Sequence, residues 1–257
     1  MKRLPLLDLL CREYPDDERE RLFALIMCRK VIVDGGRIAN PKELVRVDAQ
    51  ITLADEQFVS RGGKKLEHAL SCWKIDVEGK SFIDAGASTG GFSHCLISHG
   101  AKRVYSVDVG YNQLSYQLRT DSRIVVMEQT NIMHVNDLDP QPDAAVADLS
   151  FRSISGAASH ILGQTKERWL IALIKPQFEL QQDDPTFDGV IKDDSVISLV
   201  LLRVFSQLQE EGIFISKFIA SPILGTKGNR EYLALLKDTD SDALDLEEFS
   251  HIIKALI

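Results

Sequence analysis

The chain has few of the features that mark secreted, metal-binding or membrane proteins. Its 257 residues include only four cysteines, and none of them forms a C-x-x-C pair, so neither a disulfide framework nor a zinc site is expected. They lie in apolar helical patterns, where a buried free thiol is usual, at Cys11, Cys28, Cys72 and Cys95. No apolar run approaches the roughly 20 residues of a membrane-spanning helix. The stretch after Lys2 and Arg3 is too short and too polar for a secretory signal. We therefore expect no metal, no membrane association and a cytoplasmic location.

The chain also lacks an excess of positive charge. Its net charge of −8 argues against a protein that coats nucleic acid non-specifically. Residues 1–50 carry ten basic and nine acidic side chains, whereas the remaining 207 residues carry 20 and 29. The first fifth of the chain is therefore the part that is not acidic.

The N-terminal segment has a pattern of its own. Apolar residues at helical spacing and a tight Asp-Gly-Gly turn between short apolar runs indicate helices followed by a hairpin. The predicted elements are helices at 6–13 and 18–28, strands at 31–33 and 37–38 about a turn at 34–36, and a stretch at 45–51 that completes a small sheet.

These two helices and the hairpin sequence RKVIVDGGRIANPKELVRVDAQI resemble the alpha-L RNA-binding domain, a small module found in a ribosomal small-subunit protein and in several RNA-modifying enzymes. The resemblance implies that residues 1–56 contact RNA. The alternative is a small α+β domain that serves as a spacer or a dimer contact.

From Ser81 onward, apolar strands alternate with helical patterns, which is typical of a doubly wound α/β fold with helices on both faces of a parallel sheet. Strands are predicted at 81–85, 103–107, 124–127, 144–148, 169–174 and 212–218, and helices near 90–99, 112–119, 155–163 and 194–210. We expect a linker at 57–63 and a Rossmann-like domain at 64–257.

A glycine-rich turn follows the first of these strands, in the sequence FIDAGASTGG that begins at Phe82. Small residues let the backbone approach a ligand closely, and the start of the next helix offers free N–H groups. Asp84, at the strand end, suits the amino group of an amino acid moiety. Asp108 ends the second strand, where a doubly wound fold binds ribose hydroxyls, and Asn131 follows the third strand, from which adenine is often contacted.

This combination predicts an S-adenosylmethionine site. The candidate cofactor-binding residues are Asp84, Gly86, Ser88, Thr89, Gly90, Gly91, Phe92, Asp108 and Asn131. A nicotinamide or another nucleotide is an alternative, as is a turn whose glycines are only structural.

Four charged residues form a candidate catalytic set. Asp148 and Lys175 close apolar strands, and Glu231 follows a turn-rich segment. Lys65 lies near the start of a helix, on the flank of its apolar stripe, whereas Lys64 faces away from that stripe. Lys65 is therefore the one of the two that can reach a cleft.

The set Lys65, Asp148, Lys175 and Glu231 resembles the Lys-Asp-Lys-Glu tetrad of FtsJ-like ribose methyltransferases. The phrases SRGGKKL, DAGASTGGF, DLSF, KPQFE and GNREY, in this order, are similar to the hemolysin A (TlyA) family, which joins an alpha-L module to an FtsJ-like domain. The resemblance covers essentially the whole chain. It implies 2′-O-methylation of ribosomal RNA or ribosomal subunits. The segment at 230–237 is compatible with a helix or a strand, and the resemblance favours a strand that pairs antiparallel with 212–218.

The chemistry requires such a set, because a ribose 2′-hydroxyl must lose its proton as it attacks a methyl sulfonium. A lysine serves as base only when desolvation or another cation lowers its pKa from about 10.4. We assign Lys175 as base, Lys65 to position the hydroxyl, and Asp148 and Glu231 to orient the ammonium groups.

Other functions are compatible with parts of this pattern. The methyl group could go to a base or a small molecule, although the sequence lacks an Asn/Asp-Pro-Pro-aromatic loop after the fourth strand. The tetrad could be two ordinary salt bridges in a protein that binds RNA and cofactor without methyl transfer. A membrane-active hemolysin-like protein is the third alternative, although the sequence has no basic amphipathic helix of the lytic type.

Overall fold

The computed structural model describes residues 3–15, 17–53, 58–150, 153–180 and 187–257. Internal contacts divide the chain into two compact units, Met1–Glu56 and Gln57–Ile257. The residues at 58–63, predicted as part of a linker, group with the second unit, and the side chain of Phe58 is buried in its core.

The first unit is a small α+β structure with two short sheets. Its elements are β1 (Arg3–Pro5), α1 (Leu6–Glu13), α2 (Arg19–Met27), β2 (Val31–Val33), β3 (Gly36–Ile38), β4 (Leu44–Arg46) and β5 (Ile51–Leu53). The predicted helices and hairpin are confirmed. Asp34 and Gly35 both adopt positive φ, at 48° and 83°, as a two-residue hairpin turn requires.

The stretch at 45–51 does not complete one sheet, contrary to the prediction. β4 pairs with β1, whereas β5 pairs with β2 on the side opposite β3. The division arises because the chain turns between β4 and β5, where the Ala49 N–H donates to the Arg46 carbonyl at 3.1 Å. The side chains of α1 and α2 cover both sheets with one apolar cluster that includes Leu6, Leu10 and Ile26.

The second unit alternates strands and helices as predicted. Its helices are α3 (Gly62–Trp73), α4 (Gly91–Ser98), α5 (Tyr116–Arg119), α6 (Ala158–Gly163), α7 (Pro176–Glu179), α8 (Asp194–Glu210) and α9 (Leu246–Leu256). Its strands are β6 (Ser81–Ala85), β7 (Arg103–Val107), β8 (Ile124–Met127), β9 (Ala144–Ala147), β10 (Trp169–Ile174), β11 (Phe214–Ala220) and β12 (Tyr232–Lys237), with 3₁₀ turns at Ile132–His134 and Thr226–Gly228.

The seven strands form one mixed sheet in the order β11-β12-β10-β9-β6-β7-β8. β6 to β10 are parallel to their neighbours in that order, and β12 inserts antiparallel between β10 and β11. The predicted doubly wound sheet and the antiparallel last strand are therefore confirmed.

Alternate side chains of the central strands pack into two separate cores, because successive side chains along a strand point to opposite faces of the sheet. Ile83, Ala145 and Ala172 face the cluster formed with α6, α8 and α9. Phe82 and Val146 face the cluster formed with α3 and α4. Helices on both faces leave only the strand ends open, and the charged candidates lie there.

Two helical predictions need correction. The helix predicted at 112–119 is confined to α5, because the backbone N–H groups of Asn112, Gln113 and Leu114 donate to the Glu128 carboxylate instead of entering a helix. α9 was not predicted, although Asp245 and Glu248 form a capping box at its start. Across the described segments of the chain, no helix combines the length and the apolar character needed to cross a bilayer.

Candidate active site

One edge of the large sheet gathers the charged candidates. Parallel strands end at the same edge, so Asp148 after β9 and Lys175 after β10 are neighbours there. β12 runs the opposite way and begins at this edge, with Tyr232 opposite Ile174. Glu231, the residue before Tyr232, therefore reaches the same edge as Lys175, which follows Ile174. The antiparallel strand is what brings a carboxylate from the far end of the sequence to this position.

The first ion pair of the candidate set joins α3 to the start of β12. The Lys65 ammonium donates to Glu231 Oε2, and both residues are buried, at 8% and 4% exposure. Lys64 is exposed, so the predicted difference between the two lysines, with Lys64 facing solvent and Lys65 turned toward the apolar side of the helix, is confirmed. A buried cation requires such a partner, because an unpaired one would be strongly destabilising.

The second pair lies at the ends of β9 and β10. Lys175 Nζ lies 2.6 Å from Asp148 Oδ1 and donates to Ser150 Oγ at 3.1 Å. It also lies 5.5 Å from the centre of the Phe178 ring. The Asp148 side chain is 24% exposed, so this pair, unlike the first, is open to solvent on its carboxylate side. The four predicted residues thus form two ion pairs.

The glycine turn between β6 and α4 approaches the end of β9 closely. Gly86 has φ +84°, and a Cβ there would lie 2.5 Å from the backbone oxygen of Asp148. Gly90 has φ +93°, and a Cβ there would lie 2.2 Å from Leu118 Cδ1. Both positions therefore require glycine for conformation and for space.

Gly91 serves a different contact. A Cβ there would meet Ser60 Oγ at 2.3 Å and the Gly63 nitrogen at 2.9 Å. The N-termini of α4 and α3 thus touch through bare glycine backbone, which is a reason for the double glycine in each phrase, SRGG and TGGF. Because Lys65 lies two residues beyond Gly63, this contact also sets the position of the lysine.

A cavity of about 520 Å³ opens beside the glycine turn. It is lined by Gly86, Ser88, Val107, Asp108, Val109, Gln113, Thr130, Asn131, Ile132, Asp148, Leu149 and Ser150. Four predicted cofactor residues are among them. Asp148 and Ser150, the two partners of Lys175, lie on the same wall, so the cavity and the second ion pair are contiguous.

The other five predicted cofactor residues do not line this cavity. Phe92 is buried in the core on the α3 and α4 face, and Thr89 is exposed. Asp84 is fully buried two residues before Gly86. Gly90 packs beside Leu118, and Gly91 packs beside Ser60 and Gly63, so these two glycines belong to the turn without lining the cavity.

Asp108 and Asn131 fix the backbone around the cavity. The Asp108 carboxylate accepts the N–H groups of Ser88 at 2.9 Å and Gly110 at 2.7 Å. The side-chain oxygen of Asn131 accepts the Met133 N–H at 3.0 Å. Asp108 therefore ties the glycine turn to the end of β7.

Glu128 is a residue that sequence reasoning missed. Its carboxylate accepts three backbone N–H groups between 2.8 and 3.1 Å from the loop at 112–114 and pairs with the Arg119 guanidinium. These contacts lower the pKa of Glu128 to about 2, with the Arg119 hydrogen bond the largest cause. Since Gln113 lines the cavity, the contacts of Glu128 with this loop fix the position of one part of the cavity wall. Its position directly after a strand was the available signal.

Glu179, the last residue of the KPQFE phrase, was also left without a role. Its buried carboxylate accepts the Ile154 N–H at 3.0 Å, and burial raises its pKa. Lys175, at the other end of the same phrase, contacts Asp148 and Ser150. The segment at 175–179 therefore contacts the chain after β9 at two places, Asp148 and Ser150 through its first residue and Ile154 through its last.

The electrostatics of this edge favour a cation. Burial raises the pKa of Asp84 to about 7, and the carboxylates of Asp148 and Asp108 add to the shift. Asp84 Oδ1 is buried without a hydrogen-bond partner among the described residues. An unpartnered buried acceptor is costly, and a cationic ligand in the adjacent cavity would offset that cost. Within the described ranges, no cluster of three His, Cys, Asp or Glu side chains has the arrangement of a metal site.

Comparison with known proteins places these features in a family. Residues 58–238 match the FtsJ-like methyltransferase family. The chain is 39% identical to "Hemolysin A" of Brachyspira hyodysenteriae over 224 residues, which are 85% of this chain and 93% of that protein. It is 36% identical over 242 residues to the "16S/23S rRNA (cytidine-2′-O)-methyltransferase TlyA" of Mycobacterium tuberculosis, covering 91% of this chain and 90% of that one.

A solved structure from Streptococcus thermophilus that carries a hemolysin name superposes with a TM-score of 0.74 at 33% identity, covering 99% of this chain and 96% of that chain. S-adenosylmethionine, the cofactor of such enzymes, carries a sulfonium and an ammonium group, and the acidic, glycine-walled cavity fits it. The chain belongs to the FtsJ-like methyltransferase family and, within it, to the hemolysin A (TlyA) group of S-adenosylmethionine-dependent methyltransferases.

Proposed function

We propose that the protein methylates a ribose 2′-hydroxyl of ribosomal RNA, with cytidine as the modified nucleoside. The observation that carries the proposal is the Lys175–Asp148 ion pair on the wall of the cavity, with the buried Lys65–Glu231 pair at the same sheet edge. The nucleoside and the RNA are those in the name of the Mycobacterium tuberculosis relative.

The cavity residues would hold the cofactor. Asp108 lies where ribose hydroxyls bind, and Asn131 also lines the cavity. Asp84 is buried two residues before Gly86, and its carboxylate would favour the ammonium group through its charge. When bound, S-adenosylmethionine supplies an electrophilic methyl group on sulfur, which leaves as a neutral thioether. Gly86 allows the backbone to come close to the ligand.

The two ion pairs would prepare the acceptor. Lys175, as the neutral amine, takes the 2′-hydroxyl proton while the oxygen attacks the methyl carbon. Asp148 and Ser150 fix the Lys175 nitrogen through the contacts at 2.6 and 3.1 Å. Lys65, held by Glu231, donates to the hydroxyl oxygen and orients it.

Substitution of the lysines tests these roles. Lys175→Ala and Lys65→Ala are each expected to lower the rate of methyl transfer at least about 100-fold, the lower range for positioned proton transfer, with the Kd for cofactor nearly unchanged. Lys64→Ala is the matched control, because Lys64 is exposed on the same helix. Unchanged turnover in Lys175→Ala would show that the protein binds cofactor without using this pair.

We also infer that residues 1–56 contribute to RNA binding. Support comes from their alpha-L-like order of elements and from the exposed Arg12, Arg37 and Lys42. Neutralising Lys42 is expected to weaken RNA binding and to reduce its salt dependence. Leakage of liposomes on addition of the purified protein would instead favour the membrane activity suggested by the name of the Brachyspira relative.

A further inference from the structure

Three buried polar side chains, Asp84, Ser93 and Ser106, form a hydrogen-bonded chain next to the glycine turn, and the two serines have no role in the mechanism above. Ser93 Oγ donates to Asp84 Oδ2 at 2.6 Å, and Ser93 Oγ lies 2.7 Å from Ser106 Oγ. All three residues are at most 2% exposed. Ser93 comes from α4 and Ser106 from β7, so the chain joins three elements at the back of the cofactor turn.

The direction of these hydrogen bonds depends on the charge of Asp84. A serine hydroxyl has one proton. When Asp84 is ionised, the Ser93 hydroxyl donates its hydrogen bond to the carboxylate, so the Ser106 hydroxyl must donate to Ser93 Oγ. When Asp84 is protonated, the carboxyl can donate to Ser93, which then donates to Ser106. The two serines satisfy the carboxyl group in both states, and such chains strengthen cooperatively.

The charged groups that contribute most to the pKa shift of Asp84 are carboxylates. Asp108, after β7, and Asp148, after β9, raise the pKa of Asp84. Asp84 in turn raises the pKa of the buried Cys95 thiol on α4. Lys175, a cation of the same site, is paired with Asp148. Oδ1 has no partner among the described residues. A cationic ligand in the adjacent cavity would therefore favour the ionised form of Asp84.

We propose that Asp84 releases a proton to solvent when the cationic cofactor binds, and that Ser93 and Ser106 are positioning residues that reverse their hydrogen bonds to hold the carboxyl group in both states. The proposal rests on the cofactor site described above. The O–H bond of the carboxyl group breaks, the proton passes to buffer, and the positive charge of the ligand stabilises the carboxylate that remains. A cation near a carboxylate favours its ionised form.

Calorimetric titration with S-adenosylmethionine in buffers of different ionisation enthalpy measures the release directly. Because burial raises the pKa of Asp84 to about 7, the wild type should release about 0.8 proton per cofactor at pH 6.5. The cofactor's own amino group, with a pKa of roughly 7.7–8.0, is protonated there and contributes little. The Kd should weaken about tenfold per pH unit below the midpoint.

Variants separate this linkage from simple packing. Asp84→Asn should release no proton, and its Kd should be flat between pH 6 and 7.5. Ser93→Ala should move the midpoint upward by about one pH unit, because the ionised form loses a charged hydrogen bond. Ser106→Ala should give a smaller shift in the same direction. Ser98→Ala, on the exposed part of α4, is the matched control and should behave as wild type.

Two outcomes would overturn the proposal. One is a wild type that releases no more protons at pH 6.5 than Asp84→Asn. The other is a Ser93→Ala variant whose Kd weakens equally at every pH, which would mean that the serine only fills space. Ser93→Ala decides the matter even if Asp84→Asn does not fold. The titration needs no RNA, so failure of ribose methylation would leave these results unaffected.

Discussion

Glu231→Gln is expected to destabilise the protein more than Asp148→Asn, although each removes one carboxylate from one ion pair. The Lys65 and Glu231 side chains are 10% and 4% exposed, so loss of the charge leaves a buried ammonium group without a counter-charge. Removal of one partner of a buried pair costs about 3–5 kcal/mol. The Asp148 side chain is 24% exposed, so water can take its place beside Lys175, and we expect a cost of about 1 kcal/mol.

Urea unfolding at neutral pH measures this difference directly, and thermal unfolding provides a second readout. For a unit of about 200 residues, each kcal/mol lowers Tm by roughly 2–4 °C. Glu231→Gln should therefore lower Tm by about 6–20 °C, and Asp148→Asn by about 2–4 °C. The double variant Lys65→Met/Glu231→Leu should recover most of the stability, because it leaves no buried charge unpaired. Equal costs for the two single variants would refute the reasoning from burial.

Two further predictions concern the walls of the cavity. Gly86→Ala should abolish cofactor binding and lower stability by more than about 2 kcal/mol, because its Cβ would lie 2.5 Å from the Asp148 backbone oxygen at φ +84°. Glu128→Gln should weaken cofactor binding. The wild type should be more stable than this variant at neutral pH and should lose that advantage as pH falls. Since the pKa of Glu128 is lowered to about 2 from 4.5, that advantage is complete above about pH 4.5 and disappears towards pH 2.

A control variant tests the prediction for Gly86, and a pH series tests the one for Glu128. Gly79→Ala shares the positive φ, at +69°, but its Cβ meets nothing within 4 Å, so it should cost only about 1 kcal/mol. If Gly79→Ala and Gly86→Ala cost the same, close approach to Asp148 is not what demands the glycine. For Glu128, a stability difference that stays constant between pH 5 and pH 2 would contradict the carboxylate contacts with the loop at 112–114.

The sequence predicted the large sheet well because its strands are continuous apolar runs that end in polar residues. The same property located Asp148 and Lys175 at strand ends, and helical periodicity separated Lys65 from Lys64. The antiparallel direction of β12, which brings Glu231 to the edge, came from family resemblance, since no local signal encodes it.

What the sequence did not predict depends on contacts between distant segments. Helix α5 is short because Glu128, nine residues after its end, binds the N–H groups that precede it. Gly91 was assigned to the cofactor, but its contact with Gly63 belongs to the packing of α4 on α3. The start of α9 is an exception, because the Asp245 and Glu248 capping box was readable from the sequence.

The central claim is that the two lysine–carboxylate pairs direct a methyl group to a ribose hydroxyl of ribosomal RNA. The most direct measurement is incubation with S-adenosylmethionine labelled in its methyl group and separate ribosomal subunits, followed by alkaline hydrolysis and mapping of resistant linkages. The account predicts label at an alkali-resistant cytidine linkage with the wild type and Lys64→Ala, and none with Lys175→Ala. Label on a base, or equal labelling by Lys175→Ala, would contradict it.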